Sequence, residues 1–535
     1  MIKAGAGTLL LPGANTYTGA TIIEEGILNT NTSSLRGEVV NNGTVEFQQS
    51  FDGAYDENIS GTGTLVISQA DFSGRPIITL TGNNTYTGDT IVRFGTLRLE
   101  GPLGGSGGVV RLEPNTSLIA KASVGQSVAG SPLAAIFADT NDISLGDTNS
   151  LVGFSHGGTL RIGANVVTLR SRAFAALGPM TTLGGGTISA PNGIFVAPGG
   201  AFVGSGAVNG KVSAGVGSTT QATGNLSLGS ASDFDGFFSD GVLRVGEHTV
   251  TIHDRNQAVL GSLTTLGAGG NFGTLSVPNG SLLEAGKNVV GYGTVEGEFV
   301  NRGAVHGEGP SAGDGITLID RVTGDGSYSG TVTFFGALSP GNSPAMVAAE
   351  DVRFGEGARL EFELGGRTAG DDYDVLASTG EVVLAGTLRV ELIRGFAPSP
   401  GDEFRVLSYG SRAGTFDAFE GAELGGGLYL GQIYGDEGLT LVAALGGDVN
   451  LDGEVNRLDL AVFTRNLGDG TNPDWPHGDF DGDGRVGLDD LLILKRNYGR
   501  SAAELAAVGV PEPSGAMIVT LLLFVGAAWY GRRRV

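Results

Sequence analysis

The sequence predicts a mainly β protein whose body is a β-solenoid, similar in form to a right-handed β-helix. Three observations lead to this prediction. Glycine supplies 95 of the 535 residues, and this share is far above the usual glycine content of about 7%. Short apolar runs alternate with period two and are bounded by Gly, Asn or Pro, as in residues 63–67 and 95–99, which is the pattern of strands and turns. Finally, the sequence repeats itself.

Composition narrows the function classes before any motif is considered. Cysteine is absent, so disulfides, thiolate metal sites and thiol catalysis are excluded. Acidic residues outnumber basic ones by 56 to 32, a net charge of −24. Such a chain repels phosphate backbones, and we therefore expect no nucleic-acid partner.

A short repeat lies near the start of the chain. Residues 15–19 (NTYTG) recur as residues 84–88, and the match continues to Gly26 and Gly95. Together with the surrounding Gly-x-Gly-Thr-Leu pattern, residues 5–28 and 61–99 resemble autotransporter-associated β-strand repeats. That resemblance implies right-handed β-helical segments of bacterial surface proteins, and hence an exported chain. No export signal precedes the first repeat, so the true N-terminus is left open.

A longer duplication follows between residues 141 and 300. Phe154 corresponds to Phe237, Leu160 to Leu243, and residues 182–184 to residues 265–267. Each copy holds several short strands, and stacking copies would bury a continuous inner face, as a solenoid does. Two separate β-sandwich domains are the alternative interpretation.

The strands lengthen after residue 320. Residues 358–364 and 387–392 alternate cleanly between apolar and charged side chains, as in an antiparallel sheet with one solvated face. This section is predicted to be a β-sandwich-like cap or the last rungs of the solenoid. The acidic residues 371–374 are predicted to form a solvated turn, with an acid/base cluster as the alternative.

Two acidic loops stand 31 residues apart. Residues 448–453 read D-x-N-x-D-G and residues 479–484 read D-x-D-x-D-G, with Asp459 and Asp490 at position twelve. Oxygen ligands at positions 1, 3 and 5, a glycine at 6, a backbone carbonyl at 7 and a carboxylate at 12 suit Ca²⁺. An apolar helical pattern follows each loop, comprising Leu458, Ala461 and Val462 in the first and Leu491, Leu492 and Leu494 in the second.

These loops resemble a type I dockerin, a small helical module with two calcium motifs, which implies two Ca²⁺ ions. The predicted ligands are Asp448, Asn450, Asp452, Glu454, Asn456 and Asp459 in the first loop and Asp479, Asp481, Asp483, Arg485 and Asp490 in the second. Glu454 and Arg485 would contribute backbone carbonyls. The resemblance also implies a cohesin-like partner. Loop positions ten and eleven, which often carry Ser or Thr for that contact, are Arg457-Leu458 and Leu488-Asp489 here.

The C-terminal tail has a different character. Residues 511–513 (PEP) precede an apolar run over 515–530 and then three arginines. As a helix the run would extend about 24 Å, somewhat less than a hydrocarbon core of roughly 30 Å, and interfacial anchors could compensate. The order is similar to the PEP-CTERM sorting signal. That similarity implies export, a membrane helix and recognition by an exosortase-type sorting enzyme.

The expected division is 1–100 autotransporter-associated repeats, 101–319 duplicated solenoid units, 320–443 β-rich cap or sandwich, 446–500 dockerin, 501–514 linker and 515–535 hydrophobic helix with its arginines. No H-E-x-x-H, nucleophile-elbow or P-loop pattern occurs.

The favoured function is a non-enzymatic exported surface or matrix protein for adhesion or assembly. The alternative is a β-helical polysaccharide hydrolase or lyase, or a cellulosome-like component, delivered by its dockerin. Whether the chain is an enzyme is therefore left open.

Overall fold

A computed structural model describes residues 1–504 except 72, 73, 342, 343, 469 and 472. The chain is mainly β, with 48% strand and 5% helix, and forms a β-solenoid of about 17 turns. The predicted fold class is therefore confirmed. The chain divides into two compact units, residues 1–322 with 326–332 and residues 323–325 with 333–535.

In the first unit, parallel strands stack into two long sheets and one short sheet. The first long sheet contains Gly53–Tyr55, Ile77–Leu80, Thr96–Leu99, Ser117–Ala120, Ala135–Ala138, Ile143–Gly146, Thr159–Ile162, Val166–Arg170, Met180–Ser189, Ala201–Asn209, Thr219–Gly229, Val242–Gly246, Thr249–His253, Leu263–Leu266, Gly273–Ser276, Asn288–Gly291, Gly293–Glu296, Ala304–Gly307 and Ile316–Leu318. The second contains Thr8–Leu11, Ile27–Thr30, Thr44–Gln48, Thr64–Ser68, Thr90–Val92, Val109–Leu112, Ser127–Gly130, Phe154–His156, Ala175–Leu177, Ile194–Val196, Val212–Ala214, Phe237–Ser239, Ala258–Val259, Ser281–Leu283 and Phe299–Asn301. The short sheet contains Ile2–Lys3, Thr21–Ile23, Val39–Asn41 and Ile59–Ser60. Val322–Gly324 and Ser327–Phe334 lie where the chain passes between the units.

The duplicated copies share one interior. Phe154 and Phe237 lie in strands of the same parallel sheet, connected through three intervening strands, and both are fully buried. Strand residues alternate between buried and partly exposed along most of this sheet, as at Ile27–Thr30, because successive side chains point to opposite faces. The two-domain interpretation of the duplication is thus wrong, since consecutive rungs hide each other's apolar inner side.

The NTYTG repeat has a local physical basis. The hydroxyls of Tyr17 and Thr21 are 2.9 Å apart, and those of Tyr86 and Thr90 are 2.6 Å apart. Each pair satisfies two polar groups within the rung, which is necessary at Tyr86 because its side chain is fully buried. The motif therefore recurs because the same hydrogen bond closes the same corner twice.

The repeated glycines Gly26 and Gly95 serve the next corner. Their φ angles are +75° and +73°, in the left-handed region that a side chain disfavours. A Cβ atom would also lie 2.5 Å from the carbonyl oxygen of Gly5 at the first position and 2.4 Å from that of Pro76 at the second. Both the turn and the close approach of the preceding rung therefore require glycine.

The second unit combines parallel rungs with a mixed sheet. The rungs contain Ala337–Pro340, Asp351–Phe354, Arg359–Leu364, Glu381–Val383, Thr387–Leu392, Ser411–Ala413 and Ala418–Glu420. The six-stranded sheet runs in the order Met346–Ala349, Val375–Ser378, Glu403–Ser408, Gly438–Leu445, Leu428–Tyr434 and Glu423–Gly425. Its first three strands are parallel and its last three pair antiparallel. Part of the predicted section 320–443 therefore consists of parallel rungs and part of one mixed sheet, and the division of the chain at these residues stays a prediction. Residues 358–364 and 387–392, whose alternation suggested an antiparallel sheet, in fact pair in parallel as rungs.

Two residues of the segment 371–374, Tyr373 and Asp374, depart from the predicted solvated turn because both are buried. Asp371 is exposed, but Asp374 is fully buried. Its two carboxylate oxygens accept hydrogen bonds from the backbone N–H groups of Ala345 and Glu363, at 2.8 and 2.7 Å. Asp374 therefore fastens neighbouring chain segments, a role that spacing in the sequence does not reveal.

The helices follow the sheet. They are α1, Arg457–Asn466, the short 3-10 helix Trp475–His477, and α2, Leu488–Asn497. Within the described residues, no helix has the length and apolar character needed to cross a bilayer. The predicted hydrophobic helix at 515–535, and all but the first four residues of the predicted linker 501–514, lie outside the described residues.

Candidate metal centre

The first acidic loop curls around its leading aspartate. Asp448 is 2% exposed, and its carboxylate accepts hydrogen bonds from the backbone N–H groups of Asp452 and Gly453, at 3.2 and 2.9 Å. Asn450 donates its side-chain amide to Asp452, at 2.9 Å. These hydrogen bonds hold the side chains of positions 1, 3 and 5 beside the bend of the loop. Gly453 at position 6 makes the bend with φ +84°.

The second loop is similar, but its leading aspartate accepts from loop positions 4 and 6, whereas Asp448 accepts from positions 5 and 6. Asp479 accepts hydrogen bonds from the N–H groups of Gly482 and Gly484, at 2.8 and 3.0 Å. One carboxylate oxygen from each of Asp479, Asp481 and Asp483 lies within 4.8 Å of the other two. Carboxylates this close repel one another unless a cation or protons lie between them.

The position-twelve aspartates connect each loop to its helix. Asp459 is the third residue of α1, is buried, and accepts from the N–H groups of Val449 and Asn456, at 2.9 and 2.8 Å. Asp490 occupies the same place in α2 and accepts from Phe480 and Gly487, at 2.7 and 2.8 Å. Each carboxylate therefore caps its helix at the loop's closing side.

The remaining predicted ligands are placed differently. The side chains of Glu454 and Arg485 are exposed, so their expected contribution, a backbone carbonyl, does not involve the side chain. The side-chain oxygen of Asn456 accepts from the N–H of Leu458 at 2.8 Å, as the N-cap of α1. Its role as a calcium ligand stays a prediction.

The electrostatics of both loops favour a bound cation. Burial, and then the neighbouring carboxylates, raise the pKa of Asp479 to about 8. Burial also raises the pKa of Asp448 to about 6, with Asp459 and Asp452 adding to the effect. The pKa of Asp481 rises to about 6 for the same reasons. Each of these carboxylates therefore binds its proton more tightly than a free aspartate does, and metal binding displaces such protons.

A pH dependence follows from these shifts. Without calcium, the thermal stability of this module should fall as the pH rises from about 4 to about 8. The folded carboxylates bind protons more tightly than unfolded ones, whose pKa is about 3.9, so raising the pH favours the unfolded state. Saturating calcium should remove or reverse the slope. Melting in EDTA and in calcium across this pH range measures both, and an EDTA melting temperature that climbs over it would contradict the shifts.

The module shares its hydrophobic core with the adjoining sheet. Trp475 is fully buried and donates its indole N–H to the backbone oxygen of Asp448, at 2.6 Å. Its ring meets Phe480 edge-on, 5.0 Å between centroids, and a Cβ on Gly431 of the sheet would lie 2.3 Å from it. Asn497 of α2 donates to the backbone oxygen of Gly446, at 2.8 Å.

Sequence reasoning did not identify Trp475 or these sheet contacts. The stretch between the two acidic loops contains the aromatic residues Phe463 and Trp475, and no spacing rule marks either as part of a core shared with the sheet. The spacing of the acidic residues predicted which residues bind the ions. It did not predict that the loops pack against the neighbouring sheet.

The donor set fits calcium. Each loop offers hard oxygen donors at the positions that a Ca²⁺ loop uses. The leading aspartate of each loop is buried, and in the second loop one carboxylate oxygen from each of Asp479, Asp481 and Asp483 lies within 4.8 Å of the other two. No sulfur or imidazole donor belongs to either loop, which disfavours the softer transition metals.

Comparison with known families agrees with this geometry. Residues 446–498 match the model of the dockerin type I domain, a family that binds calcium. Residues 1–29 and 77–99 match the passenger-associated-transport-repeat. A search of curated proteins found no match. The predicted resemblances to the dockerin and to the autotransporter-type repeat are thereby confirmed, whereas the PEP-CTERM resemblance stays a prediction. Autotransporter-type repeats, a dockerin module and a β-solenoid together fit an exported surface or docking protein, and a dockerin implies a cohesin partner.

Proposed function

We propose that this chain is a non-catalytic exported protein of a bacterial cell surface or matrix. Its β-solenoid acts as a stalk, and its dockerin module binds a cohesin-type module when two calcium ions occupy the loops. The sorting pattern at 511–535 lies outside the described residues, and its similarity to the PEP-CTERM signal supports a further role for a membrane and an exosortase-type enzyme.

One observation carries the proposal. Two D-x-[DN]-x-D-G loops fold in a similar way, each with a buried leading aspartate that accepts hydrogen bonds from two loop N–H groups. That arrangement costs free energy unless a cation is bound, because it buries like charges. Calcium would therefore order the module, and the ordered module would present its helices to a partner.

The test is binding of the full chain to a panel of recombinant cohesin modules, measured by biolayer interferometry. We expect at least one module to bind in calcium and to dissociate in EDTA. An affinity unchanged by EDTA, or no binding by any module on the panel, would contradict calcium-dependent docking. A polysaccharide panel run beside it checks the enzymatic alternative, since turnover of any polymer would contradict a purely structural role.

A further inference from the structure

One corner of the first long sheet carries an exposed pair of aromatic side chains. Phe272 is 55% exposed, and its ring meets that of Tyr292 edge-on, with 5.5 Å between the centroids. Tyr292 stands on the next rung and packs against Gly267, where a Cβ atom would lie 2.6 Å from the tyrosine ring. The Tyr292 hydroxyl accepts a hydrogen bond from the backbone N–H of Gly270, at 3.1 Å. The pair is therefore held in position while it stays open to solvent.

Carboxylates flank this aromatic pair along the solenoid. Glu247 is exposed, lies on the rung before Phe272, and accepts a hydrogen bond from the side-chain amide of Asn271. Glu308 lies on the rung after Tyr292, and its side chain is 79% exposed and 3.2 Å from that of His306. The side chains able to carry a charge on these connections and on the strands that enter them are Arg244, Glu247, His248, His306, Glu308 and Asp314. We call Glu247, Phe272, Tyr292 and Glu308 the aromatic corner.

The two copies of the internal duplication differ at the aromatic corner. Residues 182–184 match residues 265–267, and residues 191–193 match residues 278–280. Between these matches the second copy is longer, and its connection 267–273 (GAGGNFG) contains Phe272. The corresponding parts of the first copy hold only small side chains: the connection 184–186 (GGG), Ser205 in place of Tyr292, and Ala164 in place of Glu247. The stacking of rungs therefore does not require the aromatic pair or the carboxylate beside it.

The aromatic corner extends along the solenoid axis. Its side chains come from four successive rungs, which the strands beginning at Val242, Leu263, Asn288 and Ala304 define. Neighbouring strands lie about 4.8 Å apart, so the three steps from Glu247 to Glu308 cover about 14 Å. That length suits several units of a linear polymer lying along the solenoid, rather than one small ion.

From these features we infer that the aromatic corner binds a polysaccharide whose sugar rings carry free amino groups. A sugar ring offers an apolar face of C–H groups to Phe272 and Tyr292 and hydroxyl groups to their polar neighbours, the mixture that a ligand site of aromatic and polar side chains accommodates. Its ammonium group is attracted to the face of an aromatic ring and to the carboxylates of Glu247 and Glu308. A polymer of uronic acids would be repelled by the same carboxylates and by the net charge of −24. The site gives the stalk an adhesive function that is independent of the dockerin module.

The experiment measures binding of the full chain to three probes by calorimetry, in saturating calcium so that the acidic loops are filled. The probes are a hexamer of β-1,4-linked glucosamine with its amines protonated, the same hexamer fully N-acetylated, and hexalysine, which has the charge without the sugar. We expect the glucosamine hexamer to bind at least about tenfold more tightly than either of the others.

Variants locate the site on the chain. Phe272→Ala with Tyr292→Ser, and separately Glu247→Ala, should each weaken binding of the glucosamine hexamer by at least about tenfold. The matched controls are Phe51→Ala, because Phe51 is 50% exposed, and Glu113→Ala, because Glu113 is also exposed. Both controls should bind within about twofold of wild type.

Each unfavourable outcome identifies a different error. Equal binding of the two sugar hexamers would show that amino groups are not recognised, and hexalysine binding as tightly as glucosamine would show that charge alone, or a basic peptide, is the ligand. Losses as large in the controls, or none in the aromatic variant, would place the sugar elsewhere, and no binding by the wild type would leave the corner without this ligand. Any of these results overturns the inference and leaves calcium-dependent docking untouched. Melting curves matching wild type would show that the variants fold.

Discussion

Asp479→Ala is expected to abolish the second calcium site and to remove the part of the calcium-dependent stability that the second ion supplies to the C-terminal module. Asp479 is buried and organises its loop through the N–H groups of Gly482 and Gly484. An ion bound only by the folded state stabilises by about 2.7 kcal/mol at a hundredfold excess over its dissociation constant. Loss of the carboxylate removes that contribution and leaves two N–H groups without their acceptor.

Calorimetry and melting on the full chain measure this effect. The wild type should bind two ions, Asp479→Ala one ion, and Asp479→Ala combined with Asp448→Ala none. Asp489→Ala is the matched control, because it removes the same charge from an exposed neighbour and should keep both ions. Two ions in the Asp479→Ala variant, or a wild-type melting temperature insensitive to EDTA, would show that these loops do not hold calcium.

Trp475→Ala is expected to cost about 3–5 kcal/mol of the free energy of unfolding, the range for emptying a large buried aromatic site. Trp475 contacts Phe480 of the second loop and Gly431 of the sheet, and bonds to Asp448 of the first loop. Its loss would therefore loosen the sheet and both calcium loops together, because all of them pack on one indole.

Denaturant unfolding monitored by circular dichroism checks this value, with Trp475→Phe and Leu467→Ala as comparisons. Trp475→Phe keeps most of the apolar contact but leaves the backbone oxygen of Asp448 without its indole donor, so we expect a smaller loss. Leu467 is 49% exposed, and its truncation should change little. A loss below about 1 kcal/mol for Trp475→Ala would mean that the module and the sheet do not share a core.

Much of the molecule followed from local patterns in the sequence. Period-two alternation with glycine corners predicts stacked parallel rungs, and the buried Phe154 and Phe237 show the duplicated copies in one interior. The two calcium loops could be predicted equally well, since most of the residues that bind one ion in such a loop are close together in the chain. Both patterns involve residues that are close together in the chain, and such patterns can be recognised in a single sequence.

The features that the sequence did not predict depend on contacts between residues far apart in the chain. Asp374 bonds to Ala345 and Glu363, 29 and 11 residues away, and no spacing rule marks such a partner. Leu458 and Leu492 were counted in apolar helical patterns, yet both are exposed. Hydropathy periodicity reports which residues are apolar, whereas packing against the neighbouring sheet decides which face of a short helix is covered.

The sequence by itself determined the repeating rungs, the two calcium loops and the chemistry of their ligands. Only the tertiary structure decided that the dockerin module is built onto the sheet through Trp475 and Asn497, and that α2 presents its leucines outward. The physical reason is that strands, turns and metal loops are specified by neighbours in the chain, whereas a shared core depends on contacts between segments far apart in sequence.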